Sequence, residues 1–253
     1  MVSSGLSKSE RFKIKPTPFL AIFEADMETL IKSKIVIIWF IVSFFIGALI
    51  ITGNAAKEAK ESISSNMFLF IFLWSLVIIG LSAGAISSES GVVADSVLSK
   101  SVKRHEYIMA KLCSRLTLVL TVYLIVIIIL SLLSLKVSQT GTMKYAGWIA
   151  GVLSVALALA FLTTMGVMFS TLTTSTVVSV IATLLAWFSM LIALPLAGMS
   201  EISPAYLVQK MPEVMGSWWD TNLSQIVGVL AGLSVLFVLI AVYYFDGKDL
   251  GSE

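Results

Sequence analysis

The chain has 253 residues, of which 58% are hydrophobic and only 13% charged, with a formal net charge of +2. A soluble domain carries about 25% charged residues, so apolar surface in this excess has to be buried in lipid rather than against water. A charge so near balance leaves no nucleic-acid footprint, the single cysteine (Cys113) excludes an internal disulfide, and the single histidine (His105) excludes a site built on paired imidazoles.

The N-terminal arm is charged, and no short apolar core with a small-residue cleavage site follows it, so no cleaved segment is expected. The first expected element is a helix opened by Thr17 as cap and Pro18 at its first position. Phe19, Phe23, Met27, Leu30 and Ile31 recur at helical spacing, and Glu24, Glu28 and Lys32 sit four apart on another face. An amphipathic helix beside a membrane span is expected to lie along the membrane surface, as a plain anchor or as an elbow against a neighbouring helix.

Six apolar runs follow: Ile35 to Thr52, Met67 to Ile86, Leu116 to Leu135, Ala146 to Ser170, Thr176 to Gly198 and Ile226 to Phe245. Each is long enough, or nearly so, to cross about 30 Å of hydrocarbon at 1.5 Å per residue. None contains Lys, Arg, Asp or Glu. The expected fold class is therefore all-α: a polytopic membrane protein of six transmembrane helices, with the amphipathic helix ahead of the first. The fourth and fifth runs are parted only by Thr171 to Ser175 and read as a helical hairpin. Without a repeat or a low-complexity tract, the chain reads as residues 1–34 (arm and amphipathic helix), a membrane domain over 35–245 and a tail over 246–253.

Basic residues set the orientation. Lys8, Arg11, Lys13, Lys15, Lys32, Lys34, Lys100, Lys103, Arg104, Lys111, Arg115 and Lys248 fall on one side. Lys57, Lys60, Lys136, Lys144 and Lys210 fall on the other. The richer side is expected to be cytoplasmic, with both termini there and the protein in the cell membrane. The long segment over 199–225 is then external. Pro204 and Pro212 are expected to break it, and Trp218 and Trp219 suit the headgroup level, so it reads as a membrane-hugging loop or a small outer gate.

Motifs for chemistry are missing. The sequence has no GxxxxGK[ST] and no HExxH. His105 reads as a solvated loop residue and Cys113 as a small apolar residue near a helix start. Spans without charged residues argue against a proton-coupled pump. Gly80 with Gly84, Gly147 with Gly151, and Gly228 with Gly232 each form GxxxG, which suits internal helix packing or a dimer seam.

The segment over 87–115, between the second and third runs, is the longest on the basic side and too polar to span. Val92, Val93, Val97 and Leu98 give a short apolar stripe at helical spacing, followed by Lys100, Lys103 and Arg104. A second short helix from Glu106 is expected to lead into the third run. The first helix reads as a docking element for a soluble partner, or as a surface helix holding its basic residues against anionic lipid.

Glu89-x-Gly91, then Val97-Leu98-Ser99, then Val102-x-Arg104, then Lys111, resembles the cytoplasmic loop of type-2 ATP-binding-cassette transporter permeases. Ser101 stands where that family usually has proline, and Val92 where it usually has threonine. The six-span layout, the helix before the first span and the stub from Phe245 to Leu250 are similar as well. The resemblance implies that the amphipathic helix is an elbow and the loop helix a cytoplasmic coupling helix. It also implies that two permeases, identical or related, pair to form the pathway, with export the commoner direction. A separate cytoplasmic ATPase subunit, holding ATP and magnesium that this chain does not bind, docks on the loop. Its expected contacts are Glu89, Gly91, Val93, Val97, Leu98, Ser99, Lys103 and Arg104, with Val93, Val97 and Leu98 as the apolar anchor. No residue of this chain is expected to be catalytic, and its other partners are membrane lipid and not nucleic acid. The competing reading is a membrane scaffold or sensor that recruits a cytoplasmic partner through the same loop. A membrane-embedded enzyme is the least supported, because Glu89 and Asp95 are the only acids of the loop before His105.

Overall fold

The computed structural model describes residues 17–89, 103–138, 144–216, 219 and 221–247, and among these the chain is helical with no strand. Helix α1 (Pro18–Ile31) comes first, and α2 (Lys34–Gly53) is the first span. Helices α3 (Ala59–Phe72) and α4 (Ser75–Ala83) together make the second. Helices α5 (Arg104–Val137) and α6 (Tyr145–Leu172) are the third and fourth. Helix α7 (Thr176–Phe188) opens the fifth, which runs on to Leu196. Two short helices, α8 (Pro204–Gln209) and α9 (Met211–Met215), precede α10 (Thr221–Gly247), the sixth. Six helices among the described residues are thus long and apolar enough to cross a membrane, and the protein is a multi-pass membrane protein.

The fourth span is the centre. In its most apolar stretch 78% of residues are buried within the chain, against 28%, 22% and 17% in the first, fifth and sixth. Lipid offers no hydrophobic force to press helices together, so small residues that permit close backbone approach have to hold the bundle. At Gly166 a Cβ atom would lie 2.1 Å from Ser82 Oγ of the second span, and at Gly147 one would lie 2.1 Å from the Val214 carbonyl oxygen of α9. Gly151 faces Met211 of the same short helix, and Gly84 has Thr176 in ordinary contact. Gly80, Gly228 and Gly232 meet nothing within 4 Å.

Two spans are irregular, and they meet. In the second, the N–H groups of Leu73 and Trp74 both donate to the Leu69 carbonyl at 2.9 Å, which parts α3 from α4. In the fifth, a π-helical stretch covers Ser189–Ala193 just before Pro195, which has no N–H to give the preceding turn. A carbonyl freed inside a bilayer has to find its donor within the protein. Trp187, fully buried, gives its indole N–H to Ile71 of the second span at 3.3 Å, and Ser203 gives its hydroxyl to Met190 at 2.7 Å.

Three stretches differ from the sequence expectation. The expected separate helix from Glu106 is continuous with the third span, giving 34 residues and a length of about 51 Å. Its extra turns are stabilised by packing on α1. The second span begins eight residues early, at Ala59, because its hydroxyl-bearing first turns pack on α8 and α9. Pro204 and Pro212 sit in the first turns of α8 and α9 rather than interrupting a loop, as suits a residue with φ already helical and no N–H to satisfy. The chain over 204–215 folds back on the second and fourth spans, burying Leu207, Val208, Met211, Val214 and Met215.

Gly147→Ala is expected to lower stability by about 1–3 kcal/mol, the usual cost of overpacking, read as a lower thermal midpoint in detergent. Gly228→Ala is expected to change it by less than about 0.5 kcal/mol.

Candidate functional site

Helix α1 starts as expected: the Thr17 hydroxyl accepts from Leu20 N at 3.5 Å, and Lys32 pairs with Glu28 at 2.5 Å at its end. Its packed face, however, runs through Phe19, Ile22, Phe23, Asp26, Met27 and Leu30, and Ile31 is exposed. An acid therefore sits in the middle of an apolar stripe. Asp26 is 8% exposed and faces the first turns of α5.

Lys111, Ser114 and Arg115 lie at i, i+3 and i+4 of α5 and so share one side of the helix. All three grip the same carboxylate. Lys111 Nζ donates to Asp26 Oδ1 at 2.8 Å and Arg115 Nη1 to Oδ2 at 2.9 Å, while the Ser114 hydroxyl donates to Oδ2. Lys111 has a second anion, since its Nζ lies 2.5 Å from Glu89 Oε1. The other oxygen of Glu89 accepts from the Tyr107 hydroxyl at 2.5 Å. The Tyr107 ring lies 5.8 Å from the Lys111 ammonium and stacks on Phe245 of the last span, centroids 6.0 Å apart.

The cluster holds two anions and two cations and is neutral as a whole. Lys111 and Arg115 are as buried as Asp26, at 5% and 9% exposure. Removing one partner from such a set leaves an uncompensated buried charge, which costs about 3–5 kcal/mol. Glu89 is the wet member: 30% of its side chain is exposed, against 7% for Asp26 and for Lys111. A cavity of about 270 Å³ lies beside it, lined by Ile22, Ala25, Asp26, Thr29, Glu89, Tyr107 and Lys111. Within the cluster the Arg115 Nε makes no hydrogen bond.

Apolar packing continues the junction. Ala85, Ile86, Tyr107, Ile108, Leu112, Val167 and Phe245 form a small buried cluster drawn from the second, third, fourth and sixth spans. The Ser170 hydroxyl accepts from the backbone N–H groups of Ile86 and Ser87 at 2.9 Å each, and the Ser87 hydroxyl reaches Thr176 at 3.2 Å. Every span but the first therefore contributes to this end of the bundle, and α1 is tied in by ions.

Of the expected docking residues, Glu89, Lys103 and Arg104 are described, and Gly91, Val93, Val97, Leu98 and Ser99 lie outside the described residues. The three bracket the inter-span segment. Glu89 lies in the turn after the second span, Lys103 is the exposed cap of α5, and Arg104 donates to the Phe245 carbonyl at 3.4 Å. His105 is exposed and Cys113 half-buried. No cluster able to hold a metal ion occurs among the described residues.

Asp26, Ser114 and Tyr107 went unnoticed in the sequence. The signal for Asp26 was present: it is the acid of α1 with apolar residues both four before (Ile22) and four after (Leu30). Lys111 and Arg115 read as ordinary basic residues of a loop, because nothing local shows that a helix 85 positions earlier returns to meet them.

No protein-family model matches this chain, and the search of curated proteins gives no match.

Asp26→Ala is expected to destabilise the protein by about 3–5 kcal/mol, seen as a lower thermal midpoint in detergent and as early tryptic cleavage at Lys32. Glu24→Ala, at an exposed position of the same helix, is expected to do neither.

Proposed function

We propose that this chain is the membrane-spanning permease subunit of an ATP-binding-cassette transporter, working as an exporter. It pairs with a second copy or a related permease and is driven by a separate cytoplasmic ATPase. One observation carries the reading: the segment between the second and third spans is tied at both ends to the bundle. Glu89 is held by Lys111 and Tyr107, and Arg104 by the end of the sixth span. A partner gripping this segment therefore pulls on structured helices at both of its ends.

The energetics fit a lever. A partner shifts a conformational equilibrium only by the difference in its binding to the two states. That difference reaches the spans only through connections that do not give way first. Lys111 and Arg115 share the buried Asp26 and hold α1 to α5, so helix and span move as one body. ATP and magnesium act in the partner, whose closure displaces the segment over 90–102 and, through Glu89 and Arg104, the second, third and sixth spans.

The orientation belongs to the same reading, with α1 and the segment over 87–104 in the cytoplasm. In reconstituted complexes, Leu98→Asp or Arg104→Glu is expected to abolish stimulated ATP hydrolysis while membrane insertion stays intact. Undiminished stimulation in both would remove the docking role. A cysteine replacing Ser101 is expected to react with an impermeant maleimide only from the cytoplasmic side, and one replacing Ser217 only from outside. The reverse pattern would overturn the orientation.

A further inference from the structure

At the end of the bundle opposite the ion cluster, three elements line an open cleft of about 450 Å³. Ile50 and Asn54 come from the end of the first span, Ser64, Ser65, Phe68 and Leu69 from the start of the second, and Val208 and Gln209 from α8. The volume is that of a small-molecule site. Its walls are held together, since the buried Ser64 hydroxyl donates to the Val208 carbonyl at 3.3 Å, across 144 positions of sequence.

The lining is chemically two-sided. Ile50, Phe68, Leu69 and Val208 give an apolar wall, and Phe68 stacks on Phe72 at 4.2 Å between centroids. Asn54 and Gln209 give amide donors and acceptors that no other described side chain engages. Among the described residues no ionisable side chain lines the cleft, although charged residues stand next to it in sequence. Of these neighbours, Lys60 pairs with Glu58 at 2.7 Å and Lys210 with Glu213 at 3.1 Å, and neither Lys57 nor Glu61 is among the lining residues. An anionic headgroup entering here would meet no counter-ion among the described lining residues, and desolvating an unpaired charge is costly. An uncharged headgroup bearing hydroxyls would meet two amides and the Ser65 oxygen, while the start of its acyl chain met the phenylalanine wall.

We propose that this cleft binds a lipid of the surrounding bilayer with an uncharged, hydroxyl-bearing headgroup. The inference is independent of the transport reading, because it uses only this end of the bundle.

The test is photolabelling of the full-length protein in phosphatidylcholine vesicles. One set carries a trace of glucosyl-diacylglycerol with a diazirine near the headgroup. A second set carries phosphatidylglycerol with the same diazirine. The neutral probe is expected to label residues 50–69 and 204–209 well above the lipid-facing stretch 235–239 of the sixth span. The double variant Asn54→Leu, Gln209→Leu is expected to lose that labelling by at least about tenfold, the consequence of losing two hydrogen bonds. The anionic probe is expected to label the cleft no more than the sixth span. Equal labelling by the two probes, even labelling around all spans, or labelling kept in the double variant would each overturn the proposal. Both substituted positions lie at the cleft's rim, half-buried and exposed respectively, and an unchanged thermal midpoint shows that the variant is folded.

Discussion

A carboxylate on one helix, held by an ammonium and a guanidinium on another, decides how the basic end of this molecule is built. Asp26 cannot sit in an apolar stripe unpaired, and Lys111 and Arg115 cannot be nine-tenths buried without an anion. Each side makes the other tolerable, so α1 is fixed at one place and one rotation on α5. Apolar packing alone would let such a helix slide or roll, since hydrophobic contact is non-directional. Three donors converging on two oxygens do not permit that.

The same interaction explains the length of α5, the third span. A span needs about 20 residues, and α5 has 34. The additional turns carry Glu106, Lys111 and Arg115, which no hydrocarbon would accept. They stay helical because Lys111 and Arg115 are neutralised by α1 and by Glu89, and because Tyr107 and Ile108 complete an apolar cluster with Phe245. Glu89 then has a particular place in the set. It shares Lys111 with Asp26 while remaining partly in water, it is also held by the Tyr107 hydroxyl, and it stands where the inter-span segment begins.

Periodicity and charge made the frame readable. Long runs without Lys, Arg, Asp or Glu give six spans, and the break at Thr173–Ser175 falls where a short polar interval interrupts two apolar stretches. Thr17, Pro18 and the Glu28–Lys32 pair mark α1. The relation between distant elements was not readable. Asp26 and Lys111 are 85 positions apart, and each taken alone looks like a solvated charge. The glycine pairs show the same limit from the other side. Gly147 and Gly151 share the spacing of Gly228 and Gly232, yet the first pair receives α9 and the second faces open space. Spacing tells which residues share a helix face; only the fold tells what that face meets.

Charge, breaks and neutrality are distributed along the bundle in a way that bears on how it moves. At one end, ion pairs hold α1 and a shared apolar cluster joins four spans, and loosening Asp26, Lys111 or Arg115 leaves a buried charge. In the middle, the second and fifth spans have already exchanged regular hydrogen bonds for irregular ones, at Leu73–Trp74 and at Ser189–Ala193. The Trp187 indole bridges the two at Ile71. Bending a regular helix in lipid means unsatisfying backbone groups that have no water to turn to. Bending at a place where a side chain already holds a carbonyl only trades one internal partner for another. Displacement imposed at the charged end is therefore carried rigidly as far as these two breaks, and the second and fifth spans are where the bundle gives at least energetic cost.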